Sequence, residues 1–386
     1  MRISTIVRAI TVLLFLAWSG QTLAAEFVIV GPRAMGMGGA GVAITTDALA
    51  TYWNPAGLAM TQTVDIRIVG GGQAIDRLGI ADAVSDLEDF DTTDTSQANI
   101  AKAQDIANRI NRPGANTSLN GAAGLYLKGH FGEHAFGFNI SDVPTGGGFV
   151  SNPVGVTCSP NPNCSGAVNS VSVTGAMAVR AMEARQVAFS YAYAFADKMF
   201  SIGVTAKIIQ GAAYHGTQNL QGGQEIKLSD SLGQATISTS YGIDVGAIYR
   251  PSSWLRFGVV AKDLNQPEFD APDGTKIKFG PQVRGGMAVN PYSSLTLSAD
   301  VDVTSNKTLL PGVKSQVLSL GAEQTILTEF LSFRVGAFKN MQDAGTPFTP
   351  TAGLGLRIFA FRLDLAGGYD FREKGALASG SLSLTF

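Results

Sequence analysis

Cysteine is nearly missing: the 386-residue chain holds two, Cys158 and Cys164, in the stretch CSPNPNC. Zinc would need further ligands, and the nearest histidine in sequence is His134, well removed from the pair. In an oxidising compartment a cysteine pair in a Pro/Asn turn reads as a small loop disulfide, so no metal site is expected. Charge is scarce too, at 15% of residues with a net charge of −2. That leaves no basic footprint and excludes a nucleic-acid partner. Past residue 25 no run reaches 18 consecutive apolar residues, which excludes helical membrane spans. Histidine is limited to His130, His134 and His215. They fall at a short turn, in the adjoining strand and in a long loop, and no sequence feature joins them to a nucleophile. An enzyme is not expected.

What is present begins with residues 1–25, MRISTIVRAITVLLFLAWSGQTLAA. Arg2 and Arg8 give a basic start, Ala9 to Trp18 an apolar core, and Thr22-Leu23-Ala24-Ala25 a small-residue cleavage site. This is the anatomy of a secretory signal peptide. The remaining chain of about 361 residues, 386 less 25, suits two ordinary domains or one large barrel.

One pattern then recurs along the chain. MFSIGVTAKI alternates Phe200, Ile202, Val204, Ala206 and Ile208 with Ser201, Gly203, Thr205 and Lys207. FAFRLDLAGGYD sets Phe359, Phe361, Leu363 and Leu365 against Arg362 and Asp364. A period of two with one polar face is a strand. Fourteen such segments can be placed: 63–72, 119–129, 132–141, 185–195, 199–210, 237–249, 254–262, 282–289, 293–303, 316–324, 330–338, 351–357, 359–369 and 378–386. Most have the length a tilted strand needs to cross a bilayer. Their connections alternate between short turns, such as ADK at 196–198 and PSS at 251–253, and long loops such as 73–118, 142–184 and 211–236. An even-stranded transmembrane barrel produces this asymmetry, with short turns and both termini periplasmic and the long loops outside. The fold expected is an all-β, 14-stranded antiparallel barrel in the bacterial outer membrane, with outer-membrane lipid around it. The chain ends SGSLSLTF, and Leu382, Leu384 and Phe386 on one face mark the strand expected to meet the outer-membrane assembly machinery.

Before the first strand lies GPRAMGMGGAGVAITTDALATYWNPAGLAM, residues 31–60. Gly36, Gly38 and Gly41 fit a dinucleotide-binding spacing, but that turn needs a βαβ context. Here Asn54-Pro55 breaks any following helix and strands come next, so no cofactor is expected. Small residues allow close backbone approach in a confined space. They suit a plug over residues 26–62, with residues 63–386 as the barrel.

This stretch resembles the N-terminal signature of the FadL-type outer-membrane transporter superfamily, closer to its TraF-like or PorV-like branch than to the fatty-acid transporter. Arg33, Gly36, Gly39, Asp47 with Ala48, and Asn54-Pro55-Ala56 carry the resemblance, which spans nearly the whole mature chain. It implies fourteen strands, a hatch in the lumen and passage of hydrophobic solutes sideways through the wall. Ligand-contacting residues do not carry over.

On the barrel's inner face the alternation places Lys207, Asp244, Arg256, Lys262, Arg284, Asp300, Asp302, Arg334, Arg362 and Asp364. These charges could form ion pairs locking the hatch to the wall or could line a water-filled path. In the first long loop Ile100, Ala103, Ile106, Ala107 and Ile110 have helical spacing, and Asp82, Asp86, Glu88, Asp89, Asp91 and Asp94 read as a solvated acidic run. The expected function is uptake of small hydrophobic molecules, fatty-acid or hydrocarbon-like. The alternative is a non-transporting scaffold with secretion-system partners.

Overall fold

The computed structural model describes residues 27–226, 232–327, 329–343 and 345–386. The signal peptide expected at 1–25 lies outside the described residues. Fourteen strands close into one antiparallel barrel: β1 (Asp65–Arg77), β2 (Asn116–Phe131), β3 (His134–Ser159), β4 (Ser170–Phe195), β5 (Phe200–Gln221), β6 (Thr236–Ser252), β7 (Leu255–Lys262), β8 (Gln282–Tyr292), β9 (Leu295–Asp302), β10 (Val317–Ile326), β11 (Leu331–Asn340), β12 (Thr349–Ile358), β13 (Phe361–Asp370) and β14 (Gly375–Thr385). β1 closes the cylinder by pairing with both β2 and β14, from Asp65 opposite Thr385 to Ala74 opposite Ala376. All fourteen segments read from the alternation are strands of this barrel.

The alternation sorts side chains as a lipid-facing cylinder requires. On β5, Ser201, Gly203, Thr205 and Lys207 are buried while Ile202, Val204 and Ile208 point out and are exposed. Phe131, Trp254, Tyr292, Phe330 and Phe359 stand exposed at the short-turn end. Such a ring of aromatics matches the girdle that flanks the apolar band of a membrane barrel, with Trp254 and Tyr292 able to turn a polar end to water. Among the described residues no helix is long and apolar enough to cross a membrane.

Two loop expectations change. The stretch 142–184 is mostly strand: β3 and β4 stay paired from Thr145 opposite Met182 to Ser159 opposite Ser170, leaving a connection of 160–169. The run Pro144-Thr145-Gly146-Gly147-Gly148 has the composition of a loop. Backbone pairing outweighs that local signal once both neighbouring strands run long. Likewise β5 continues to Gln221, so His215 lies on a strand and not in a loop.

The extended tips of β3–β5 carry a cap. Helix α1 (Ile80–Glu88) covers part of the acidic run read as loop, and α2 (Gln97–Ile110) carries the predicted apolar stripe. Ile100, Ala103, Ile106, Ala107 and Ile110 pack with Ile80, Ala83 and Leu87 of α1, and with Val154, Val171, Val173 and Leu220 of the strands. Ser96 begins α2 by accepting the Asn99 N–H at 3.2 Å.

Candidate functional site

Residues 27–62 pack against inward-facing side chains on opposite parts of the wall. The helical turn Pro32–Gly36 touches β11–β14, whereas the 3-10 turn Pro55–Met60 touches β2–β6. Pro32 starts its turn where a missing N–H costs nothing. Gly38 leaves it at φ 66°, and its N–H donates to Thr351 Oγ1 at 3.0 Å. A side chain at Gly38 would strike the backbone of Ala337. Trp53 is fully buried and donates from Nε1 to the Val30 carbonyl at 2.8 Å. The Tyr52 hydroxyl donates to the Val28 carbonyl at 2.8 Å.

Asn54 joins segment and wall. Its Oδ1 accepts the Ala56 N–H at 3.1 Å, capping the 3-10 turn, with Pro55 at the first position. Its Nδ2 faces three carbonyls: Val42 at 3.1 Å within the segment, Ala247 at 3.3 Å on β6 and Val259 at 3.4 Å on β7. The Ala56 carbonyl accepts from Ser201 Oγ at 2.7 Å.

The inner-face charges converge on the same segment. Arg33 pairs with Glu323 at 2.6 Å, Arg334 with Glu323 at 2.6 Å and with Asp364 at 2.8 Å, and Arg362 with Asp364 at 2.8 Å. Arg67 extends the chain to Asp364 at 3.7 Å, Asp65 at 3.2 Å and Asp47 at 3.1 Å. Asp300 accepts the N–H groups of Gly41 and Val42 at 2.7 and 2.8 Å, and Arg256 donates to the Ala43 carbonyl at 3.1 Å. Arg284 pairs with Asp302 at 2.5 Å, and Lys207 with Asp244 and Asp263 at 2.8 and 2.7 Å. Gly36 backs onto Arg334 and Gly353, and Gly39 lies against Ile29 and Ser319.

Glu323, Asp65, Arg67 and Asp263 escaped the sequence reading. The signal for the first three was the same alternation. Asp65 and Arg67 alternate with Ile66 and Ile68, and Glu323 shares a face with Ser319 and Gly321. Cys158 and Cys164 are disulfide-bonded at the β3–β4 tip, with the cap and away from the segment. Acidic residues of the cap are used singly. Asp86 pairs with Arg109 at 2.5 Å, Asp82 with Lys374, and Glu88 accepts the Ile226 N–H at 2.6 Å. Hydrogen bonds from Thr93 hold the Asp91 carboxyl below its ordinary pKa. Among the described residues no group of three or more His, Cys, Asp or Glu could hold a metal.

On the long-loop side of the segment lies a cavity of about 140 Å³. Phe27, Val28 and Ile29 form one wall, and Leu309, Leu310, Val317 and Phe338 contribute further apolar surface. Polar side chains including Asn116, Ser118 and Arg284 complete the lining. One weak line crosses the barrel wall nearby. The β2–β3 ladder pairs Asn120 with Thr145 and Ala123 with Asp142, but not the residues between, where Pro144 has no N–H to give.

This architecture is that of a known class of membrane barrels. The toluene transporter TbuX of Ralstonia pickettii superposes with a TM-score of 0.53 at 16% identity, covering 94% of this chain and 98% of that one. The CymD monoaromatic hydrocarbon channel gives 0.54 at 14% identity, with the same coverage of 94% and 98%. A deltaS2 mutant of the TodX monoaromatic hydrocarbon channel gives 0.52 at 12% identity, covering 92% and 97%. All three are transport channels, and none is an enzyme. Comparison with curated protein sequences gives no match. The family described as F plasmid transfer operon, TraF, protein matches residues 51–302, more than half of the chain. The chain belongs to this family, the TraF-like branch that its Asn54-Pro55-Ala56 segment resembles.

Proposed function

We propose that the protein is an outer-membrane barrel that admits small hydrophobic molecules, with residues 26–62 as a hatch across its lumen and residues 63–386 as the barrel. Short turns and termini lie in the periplasm, and residues 1–25 direct export. The cavity carries this reading. Its apolar wall is contributed by the hatch itself, so a solute settling there meets Phe27, Val28 and Ile29 before the passage beyond. At about 140 Å³ it is of the order that accommodates a single small ring.

Deleting residues 31–58 tests it. The barrel should stay folded and heat-modifiable, while conductance in planar bilayers rises well above a near-silent parent. Uptake of labelled toluene should change in the same variant. A parent that conducts like an open porin overturns the hatch.

The second reading, a non-transporting scaffold in a secretion or conjugation assembly, draws support from the family's description and from the ion-paired lock between segment and wall. A silent parent with no uptake of any apolar solute favours it.

A further inference from the structure

The outer wall stays apolar above the bilayer, where β2–β5 run past the lipid. A groove of about 400 Å³ lies on the outward face there, lined by Leu119, Pro144, Val179, Ala181, Tyr214 and Leu232. Leu119 is 60% exposed, and Ile237 on β6 is 61% exposed. The ladders put these side chains on one face. Leu119 opposes Gly146, Gly146 opposes Ala181, Ala181 opposes Tyr214, and Ile237 opposes Ala212. Along β5 this is the face of the exposed Ile202 and Ile208. Lipid headgroups at this height are polar and hydrated, so they leave such a surface against water.

A belt of charge separates the groove from the lipid-facing band. Asp142 stands opposite Arg185 in the β3–β4 ladder, and Glu183 is the next outward residue on β4. Just below the belt the exposed Ile140 and Val187 oppose each other. Arg185 gives Nε and Nη2 to Glu183 at 2.7 to 3.0 Å, and its side chain is 55% exposed. A guanidinium carries five N–H donors, so the edge with Nη1 is free for a second carboxylate. Further down the same two strands, Phe136 lies 5.5 Å from Tyr191 and Phe138 4.9 Å from Phe189, ring centre to ring centre.

We propose that this outer face of β2–β6 is the contact between two copies of the chain in one membrane, related by a two-fold axis along the membrane normal. Copies inserted the same way up form a closed pair only about such an axis, which keeps each residue at its own height. Asp142 and Arg185 lie at nearly one height with opposite charge. The open edge of each Arg185 therefore meets Asp142 of the other copy, and the belt is self-complementary. The two grooves then cover each other and leave water. Within the bilayer the gain is small, because lipid tails are as apolar as a second barrel. The paired rings add a rigid surface there that loses little freedom on contact. The groove supplies the drive and the belt sets the register. Neither depends on what the lumen admits.

Sedimentation equilibrium of the mature barrel in mild detergent tests this, with energy transfer between labelled barrels in phosphatidylcholine vesicles as the second measurement. The parent should be dimeric, and the vesicle measurement decides where detergent strips the pair apart. Leu119→Asn should raise the dimer dissociation constant about tenfold by wetting the groove in both copies. Arg185→Glu should raise it by about tenfold or more, since like charges then face each other. Chains carrying Asp142→Lys and Glu183→Lys together should be monomeric alone. Mixed with Arg185→Glu chains they should form heterodimers, an outcome that a purely structural role for these residues does not produce. All four positions are on the outer face, and heat-modifiability reports the folding of each variant. A parent that is monomeric in both detergent and vesicles overturns the proposal. So does a dimer indifferent to Leu119→Asn and Arg185→Glu, or a stable complex with a different protein in place of the second copy.

Discussion

The two ends of the N-terminal segment are fastened by different physics. Around Arg33 the fastening is ionic: Glu323, Arg334, Asp364 and Arg67 form a continuous chain of pairs on β1, β10, β11 and β13. Around Pro55 it is steric and backbone-polar. Gly203 and Gly246 leave room for Pro55, Ala56 and Asn54, and Ser201 bonds the Ala56 carbonyl. An ionic fastening can exchange its partners for water or for another ion once water reaches it, at the cost of breaking buried pairs. Close packing has no such alternative, since a void or a clash is the only other state. On the proposed hatch reading, the Arg33 end, with Arg33 itself partly exposed, is the one that water reaches first.

The sharpest way to break this contrast is Glu323→Ala. It strips Arg33 and Arg334 of a shared carboxylate, and loss of one member of a buried pair costs about 3 kcal/mol. Arg33 is partly exposed, at 24%, which holds the effect near the low end. The variant's unfolding midpoint on heat-modifiability gels should fall, and its single-channel conductance should rise as the segment loosens. Arg33→Gln should raise conductance while lowering the midpoint less, since Arg334 keeps its partners. Equal midpoints for parent and Glu323→Ala would show that the ionic end fastens nothing.

Gly203→Val probes the opposite end. The first added carbon would meet the Pro55 carbonyl and the Ala56 nitrogen, both backbone atoms with no freedom to step aside. Overpacking of this kind costs about 2 kcal/mol. Here the midpoint should fall without the salt dependence that Glu323→Ala should show. A matching salt dependence in both variants would erase the distinction between the two ends.

How much of this was readable beforehand follows from periodicity. Barrel strands advertise themselves because lipid and lumen demand opposite chemistry at every second residue, so Ile202 and Lys207 declare their faces without any structure. Arg334 and Asp364 were therefore placed on the inner face, and Arg67 and Glu323 were open to the same reasoning. Strand length was not readable above the bilayer. Beyond Ser141 on β3 no lipid enforces an apolar outer face, and Pro144 with three glycines then looks like a loop. The partners were not readable either. Arg33 and Glu323 are 290 residues apart, and only barrel closure brings them to hydrogen-bond distance. Nor could sequence place Lys262 and Arg284 over Phe27, which depends on where the segment enters the lumen.

The smallest effect expected is that of Asn54→Ala, and it also tests what the asparagine contributes. Two of its Nδ2 contacts, to Ala247 and Val259, are long at 3.3 and 3.4 Å, so the net loss should be about 1 kcal/mol. Conductance should rise only slightly, because Pro55 and Ala56 keep their seat over Gly203 and Ser201. Asn54→Asp separates two explanations of that loss. The aspartate keeps an oxygen for the Ala56 N–H but turns a second oxygen toward the carbonyls of Val42, Ala247 and Val259, which have nothing to donate. If the amide matters as a donor bridging segment and wall, Asn54→Asp should lower the unfolding midpoint more than Asn54→Ala does. If only the cap matters, the aspartate should behave like the parent, and the bridge between segment and wall would have to be assigned to Ser201 alone.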